Sequence, residues 1–393
     1  MVVVGFSTAP SPLYRVYELR DGFSPLTLTL IYAAYVVGVV ASLYVLGHLS
    51  DMLGRKPFVL AALLLCAVAA VVFIVWPGLY GLYTARILSG LAVGLVASSA
   101  AAYIAELYAA RWPAERHHRA QLLAGGANVG GIGAGAFLAA LLAEYAPRPL
   151  ISPYLMFLAL TGVAAVLLAI VPETRARSGF RLRHYRLRKL TIPTRGRRSV
   201  IGALVGVAAA LSTLGMFVGV TGTILAGSLS IVSPLATGVV LLVIFAAGVA
   251  AMSVTSTHST GGVALSGASV SILGLLLVGV DVAERWGLAV FVTSAALVGA
   301  GCCLVFAAAL RTIISTADPA ELASTLALFF LVGYLGLGLP VIGVGICLLT
   351  LTITTTLRGC QMFCVSPLLI SERKINEHGD RGSFQEQRRG AVA

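Results

Sequence analysis

Residues 47–57 read GHLSDMLGRKP, a glycine-marked turn that carries Asp51, Arg55 and Lys56 between two long apolar runs. A nucleotide-binding P-loop does not fit: the spacing of Gly47 and Gly54 is wrong, no Ser or Thr follows Lys56, and no strand precedes the turn. A polar hairpin that anchors two membrane spans accounts for Arg55 and Lys56, which suit a cytoplasmic surface. It gives no reason for Asp51.

Outward from this turn the chain is 59% hydrophobic and 11% charged over 393 residues. That composition excludes a soluble globular domain. Apolar segments of about 20 residues, each long enough to cross roughly 30 Å of hydrocarbon, recur with short polar breaks. They run over 26–46, 57–76, 79–106, 120–144, 152–171, 200–225, 233–253, 263–280, 287–310, 320–349 and 352–371. No alternating strands appear, so the expected class is an all-α polytopic membrane protein. Residues 1–17, with Pro10 and Pro12, read as a first helix too short to span alone: either the start is late and a turn or two is missing, which an in-frame apolar stretch upstream would reveal, or the protein tolerates a stub. The segment lacks the basic leader and cleavage site of a signal peptide.

If the second span runs from outside to inside, 21 of the 27 Lys and Arg fall in cytoplasmic loops or the tail. Both termini are then cytoplasmic, in a multi-pass protein of the cell membrane. Ten of these basic residues lie between Arg175 and Arg198, where they suit a solvated linker on an anionic leaflet. No folded domain surrounds them, so a nucleic-acid partner is not expected. Cys66, Cys302, Cys303 and Cys347 read as small buried hydrophobes. Cys360 and Cys364 share a helix face without further ligands, so neither a metal nor a cofactor is expected. The six His lie in loops, termini or helix ends, which argues against an intramembrane enzyme.

The linker separates two halves that repeat. Ser24-Pro25-Leu26 and Ser233-Pro234-Leu235 each place a Ser cap before a first-turn Pro, 209 residues apart. The same offset lays Thr84 on Thr293 and Gly90 on Gly299, and Arg86 on Ala295. The expected organisation is a six-helix bundle over 1–172, a basic linker over 173–199, a second bundle over 200–371 and a tail over 372–393.

GHLSDMLGRKP resembles the signature between the second and third spans of the major facilitator superfamily, GxLaDrxGrkxxl, matching at Gly47, Leu49, Asp51, Gly54, Arg55, Lys56 and Leu60. RILSG, residues 86–90, resembles the fourth-span pattern RxxxG. IAEL, residues 104–107, with Arg119 beyond it, resembles the end of that span, and PET, residues 172–174, the motif closing the sixth. The fifth span carries GGIGAG at 130–135 without the proline of the drug:proton antiporter signature. The resemblance implies a transporter of a small molecule, secondary-active or facilitative, working by alternating access between two pseudo-symmetric bundles. A transport-dead relative or sensor is the second reading.

Under the resemblance, Gly47, Asp51, Gly54, Arg55 and Lys56 form a conformational switch with Glu106, Asp318 and Glu321. Asp51 would face the start of the eleventh span, where Asp318-Pro319-Ala320-Glu321 has the form of a helix cap. Arg55 would pair with Glu106 or Glu115. Arg86, about seven residues inside the fourth span, is costly in hydrocarbon and should face a cavity rather than snorkel, binding an anionic group or biasing a proton site. Tyr32, Tyr35, Asn128, Ser212, Thr213, Thr293, Ser294 and Tyr334 are further cavity candidates. All 15 Asp and Glu fall in loops, tails or helix ends. A coupling proton or ion is therefore left open beside facilitated diffusion. Gly90/Gly94, Gly126/Gly130, Gly131/Gly135 and Gly215/Gly219 have the spacing of close helix contacts.

Overall fold

The computed structural model describes residues 1–46, 54–111, 118–174, 196–255, 258–318 and 321–350. Gly47 and Asp51, Glu115, most of the basic linker, Pro319 and the expected last span with its tail lie outside them.

The chain begins with α1 (Val2–Thr8), a 3₁₀ turn (Ser11–Leu13) and α2 (Tyr14–Asp21). Pro10 and Pro12 lack an N–H, so helical bonding lapses between α1 and α2. The helical path nevertheless continues four residues beyond the expected stub, to Asp21, where Gly22 in the left-handed region (φ 68°) closes it.

Ten further helices are long and apolar enough to cross a membrane. They are α3 (Pro25–Leu46), α4 (Arg55–Val75), α5 (Leu79–Arg111), α6 (His118–Tyr145) and α7 (Ser152–Ile170). After the linker come α8 (Arg197–Ser228), α9 (Pro234–Val254), α10 (Thr260–Glu284), α11 (Leu288–Thr316) and α12 (Leu322–Thr350). Each lies within a few residues of an expected apolar run, because the length of the run sets where backbone polar groups can leave lipid.

The repeat is visible in the helices themselves. Pro25 and Pro234 open α3 and α9, and Leu79 and Leu288 open α5 and α11, both at an offset of 209. Ser24 and Ser233 each accept from the backbone N–H three residues on, at 3.2 Å. A Cβ on Gly90 would collide with the Tyr35 carbonyl oxygen, and one on Gly299 with that of Ile244, the residue at the same offset from Tyr35. One close helix crossing is thus built twice, α3 on α5 and α9 on α11. Thr84 and Thr293 match as well, each bonding the carbonyl four residues back at 2.8 Å.

Small residues set the other crossings. Gly131 and Gly135 of α6 press on Gly5 of α1, which Thr8 reinforces by donating to the Ile132 carbonyl at 2.7 Å. Gly215 and Gly219 of α8 press on Leu337 and Val341 of α12. Phe73 stacks on Tyr154 with ring centroids 4.4 Å apart, and Phe6 packs edge-on against both, tying α1, α4 and α7.

The two halves meet along α6 with α9 and α3 with α12. Gly238 of α9 lies against Phe137 and Ala140 of α6, and Gly133 of α6 against Leu242 and Phe245. The same face of α6 continues to Gly130 and Gly126, where an added Cβ would meet nothing within 4 Å among the described residues. The seam is therefore tight at the end holding Glu144 and Ser233. Toward the end that holds the linker, Gly130 and Gly126 make no such contact with a described residue.

Candidate functional site

At the linker end, Gly54 has φ 102° and ψ 156°, a conformation open to glycine alone without strain. Its missing side chain also admits Glu173, whose Oε2 would lie 2.8 Å from a Cβ there. Glu173 accepts from the Arg55 and Lys56 N–H groups at 3.1 Å each, capping the start of α4 from the far side of the half. Lys56 returns the contact: its Nζ donates to the Ala169 and Val171 carbonyls at 2.8 Å, capping the end of α7. An acid on a helix start and a cation on a helix end both complement the helix dipole. The Arg55 side chain is buried, and its Nε lies 3.4 Å from Glu106 Oε1. Thr174 donates to the other Glu106 oxygen, and Tyr103 Oη to the Pro172 carbonyl at 2.7 Å.

Gly54, Arg55, Lys56 and Glu106 are thus brought together, within the first half. Glu173 does the most capping there; its sequence signal was the PET motif, which named the position without its partner. Asp318 and Glu321 stand at the start of α12, where the Asp318 carbonyl accepts from Glu321 and Leu322 at 2.9 and 2.8 Å. The expected contact of Asp51 with that helix lies outside the described residues.

Deeper in the first half, Arg86 of α5 is fully buried, at 0% exposure. It does not snorkel. One guanidinium nitrogen, Nη1, donates to the Ser7 carbonyl at 2.6 Å, where the 3₁₀ interruption begins. Its Cζ lies 5.1, 5.5 and 5.9 Å from the ring centroids of Tyr35, Tyr32 and Tyr14. Tyr334 of α12 packs against the same buried core as these tyrosines, and Val36, beside Tyr35, lies on Gly338 of α12 across the seam. Arg86, Tyr32, Tyr35 and Tyr334 therefore form one cluster, with Tyr14 and Ser7 added from the first helix. Those two had no periodic or charge signal to mark them.

The remaining cavity candidates stand elsewhere. Ser212 of α8 donates to the Gly336 carbonyl at 2.9 Å. That carbonyl precedes Pro340 by four residues, so the proline inside α12 leaves it without its helical donor. Thr213 and Ser294 are buried and bond back within their own helices, to Ala209 at 3.0 Å and Val290 at 2.7 Å. Thr293 and Asn128 are exposed. Glu144 was not foreseen: its Oε2 accepts from Ser233 Oγ at 2.9 Å and from the Leu235 N–H at 3.3 Å, joining α6 to the start of α9 across the seam.

Among the described residues no group of three or more His, Cys, Asp or Glu could hold a metal ion. Residues 1–340 match the sequence model of the Major Facilitator Superfamily. No curated protein sequence matches the chain. Among solved structures, a mutant of the nucleoside transporter NupG aligns with a TM-score of 0.69 at 13% identity, over 96% of this chain and 98% of that one. A partially occluded inward-open form of the xylose transporter XylE from E. coli gives 0.67 at 15% identity, over 94% and 95%. The peptide transporter POT with alafosfalin gives 0.74 at 16% identity, over 95% and 92%. At these identities the likeness is one of fold.

Proposed function

This chain belongs to the Major Facilitator Superfamily, and from that membership we propose that it moves a small molecule across the cell membrane by alternating access between its two halves. The family supports multi-pass membrane transport of a small molecule; the cycle is our reading. The observation that carries it is the seam, closed at Glu144 and Ser233 and without close contact to a described residue at Gly126 and Gly130. Two halves held tightly at one end of α6 and α9 and without such contacts at the other can exchange which end is closed by rocking.

Residues 1–172 and 200–371 are the two bundles in this reading, with 173–199 the linker and 372–393 the tail. The linker end faces the cytoplasm, because the basic residues concentrate there. Gly54, Arg55, Lys56, Glu106 and Glu173 hold the cytoplasmic ends of the first bundle together, and Asp51 with Asp318 and Glu321 is the switch toward α12. Arg86, Tyr32, Tyr35 and Tyr334 line the substrate path.

The test is uptake by proteoliposomes of purified protein across a panel of small organic acids, sugars, nucleosides and peptides, with and without a pH gradient. Uptake above empty vesicles for at least one solute is expected. A protein that is folded, correctly inserted and inert toward the whole panel favours the transport-dead reading. Asp51→Asn should change the transport rate and cytoplasmic accessibility; no change in either removes the switch.

A further inference from the structure

The Arg86 guanidinium is a buried cation without an ion pair in the structure among the described residues. The acid on the adjoining first helix, Glu18, is held by Arg15 at 2.8 Å. The tyrosine faces ease the positive charge but supply no acceptor in the guanidinium plane. Within that plane Nη1 is used by the Ser7 carbonyl, while the buried Nε has no hydrogen-bond partner. The Tyr14 hydroxyl, on a ring beside the same guanidinium, is also buried, and among the described residues it makes no hydrogen bond of good geometry, with Arg86 as its charged neighbour. Buried polar groups are nearly always satisfied, so two such groups at one cation indicate a missing acceptor.

The chemistry of that acceptor follows from the donors. An N–H of a cation and a phenolic O–H both favour an anion, and the guanidinium edge that carries Nε is the edge that grips carboxylates two-pronged. The chain contains an example: Arg20 Nε and Nη2 hold the two oxygens of Asp21 at 2.7 and 2.6 Å. The aromatic rings of Tyr14, Tyr32 and Tyr35 would face the organic part of such a ligand. The cluster also adjoins the seam, since Val36, beside Tyr35, lies on Gly338 of α12. Parting the halves there would open a route to the guanidinium.

We infer that Arg86 and Tyr14 form the recognition site for the carboxylate of a small organic acid, carried as substrate. This rests on the transport reading above. The test uses the full chain in detergent, with matched probes: benzoate against benzamide and lactate against lactamide, with chloride as the inorganic arm. Thermal unfolding reports binding independently of transport. At least one carboxylate should raise the unfolding temperature by several degrees while its amide does not. Arg86→Gln should abolish the shift and Arg86→Lys retain part of it. Tyr14→Phe, which removes only a hydroxyl, should weaken the carboxylate by about tenfold. An equal shift from the amide, or none from either acid, overturns the inference. So does a shift from chloride alone, which identifies a counter-ion site, and so does a carboxylate shift that survives in Arg86→Gln. If Arg86→Gln does not fold, the acid-to-amide comparison on the unmodified chain still decides. Binding without uptake would sink the transport reading and leave the anion site standing; uptake of neutral solutes only, unaffected by carboxylates, would do the reverse.

Discussion

At the scale of single residues, glycine carries two different meanings in this chain, and its sequence spacing does not separate them. Gly90 and Gly94 face the backbones of Tyr35, Gly38 and Val39 at close range, whereas Gly126 and Gly130, equally spaced, face nothing within 4 Å among the described residues. Gly90→Ala is expected to lower stability by about 1–3 kcal/mol through overpacking. Gly130→Ala should raise it by about 0.5–1 kcal/mol by restricting the unfolded chain. Thermal unfolding of both variants in one detergent checks the pair; equal effects would refute the lack of close contact at Gly130. Arg86 shows a similar limit. A lone charge in an apolar run announced that something must compensate it, but Tyr14 and Ser7, more than 70 residues away in sequence, could be found only by folding.

At the scale of elements, apolar run lengths located the ten long helices to within a few residues, while the devices joining them were largely hidden. Ser212 read as a path residue; its partner is the carbonyl freed by Pro340, in a helix more than 100 residues on. Ser212→Ala should cost about 1 kcal/mol, as a lost interhelical bond in a membrane does. In the Pro340→Ala background, where Gly336 regains a helical donor, most of that cost should vanish. A double-mutant cycle by unfolding measures the difference, and additive effects would contradict the assignment. Glu144 is the other hidden link. A carboxylate on the start of α9 is favoured by the helix dipole and by two hydrogen bonds. Glu144→Ala should loosen the closed end. Labelling of Thr237→Cys, a position now buried, by a membrane-impermeant maleimide should rise severalfold from that side.

At the scale of the whole molecule, the duplication was legible because both copies keep the same cap, the same first-turn proline and the same crossing glycine. Its asymmetry was legible too, since Arg86 falls on Ala295, itself fully buried. What no repeat could reveal is how the halves are held. In the first, Glu173 and Lys56 exchange caps between α4 and α7, so the ends of two helices are fastened to each other. Glu173→Gln should leave the seam intact and speed amide exchange in the first turn of α4, measurable by hydrogen–deuterium exchange; unchanged exchange there would remove the carboxylate's mechanical role. The clamp makes the first half behave as a stiff beam. Elastic deformation during a transport cycle would then concentrate in the second half, where Pro340 already interrupts α12, and the molecule would flex like a hinged oar against a fixed gunwale rather than as two equal rockers.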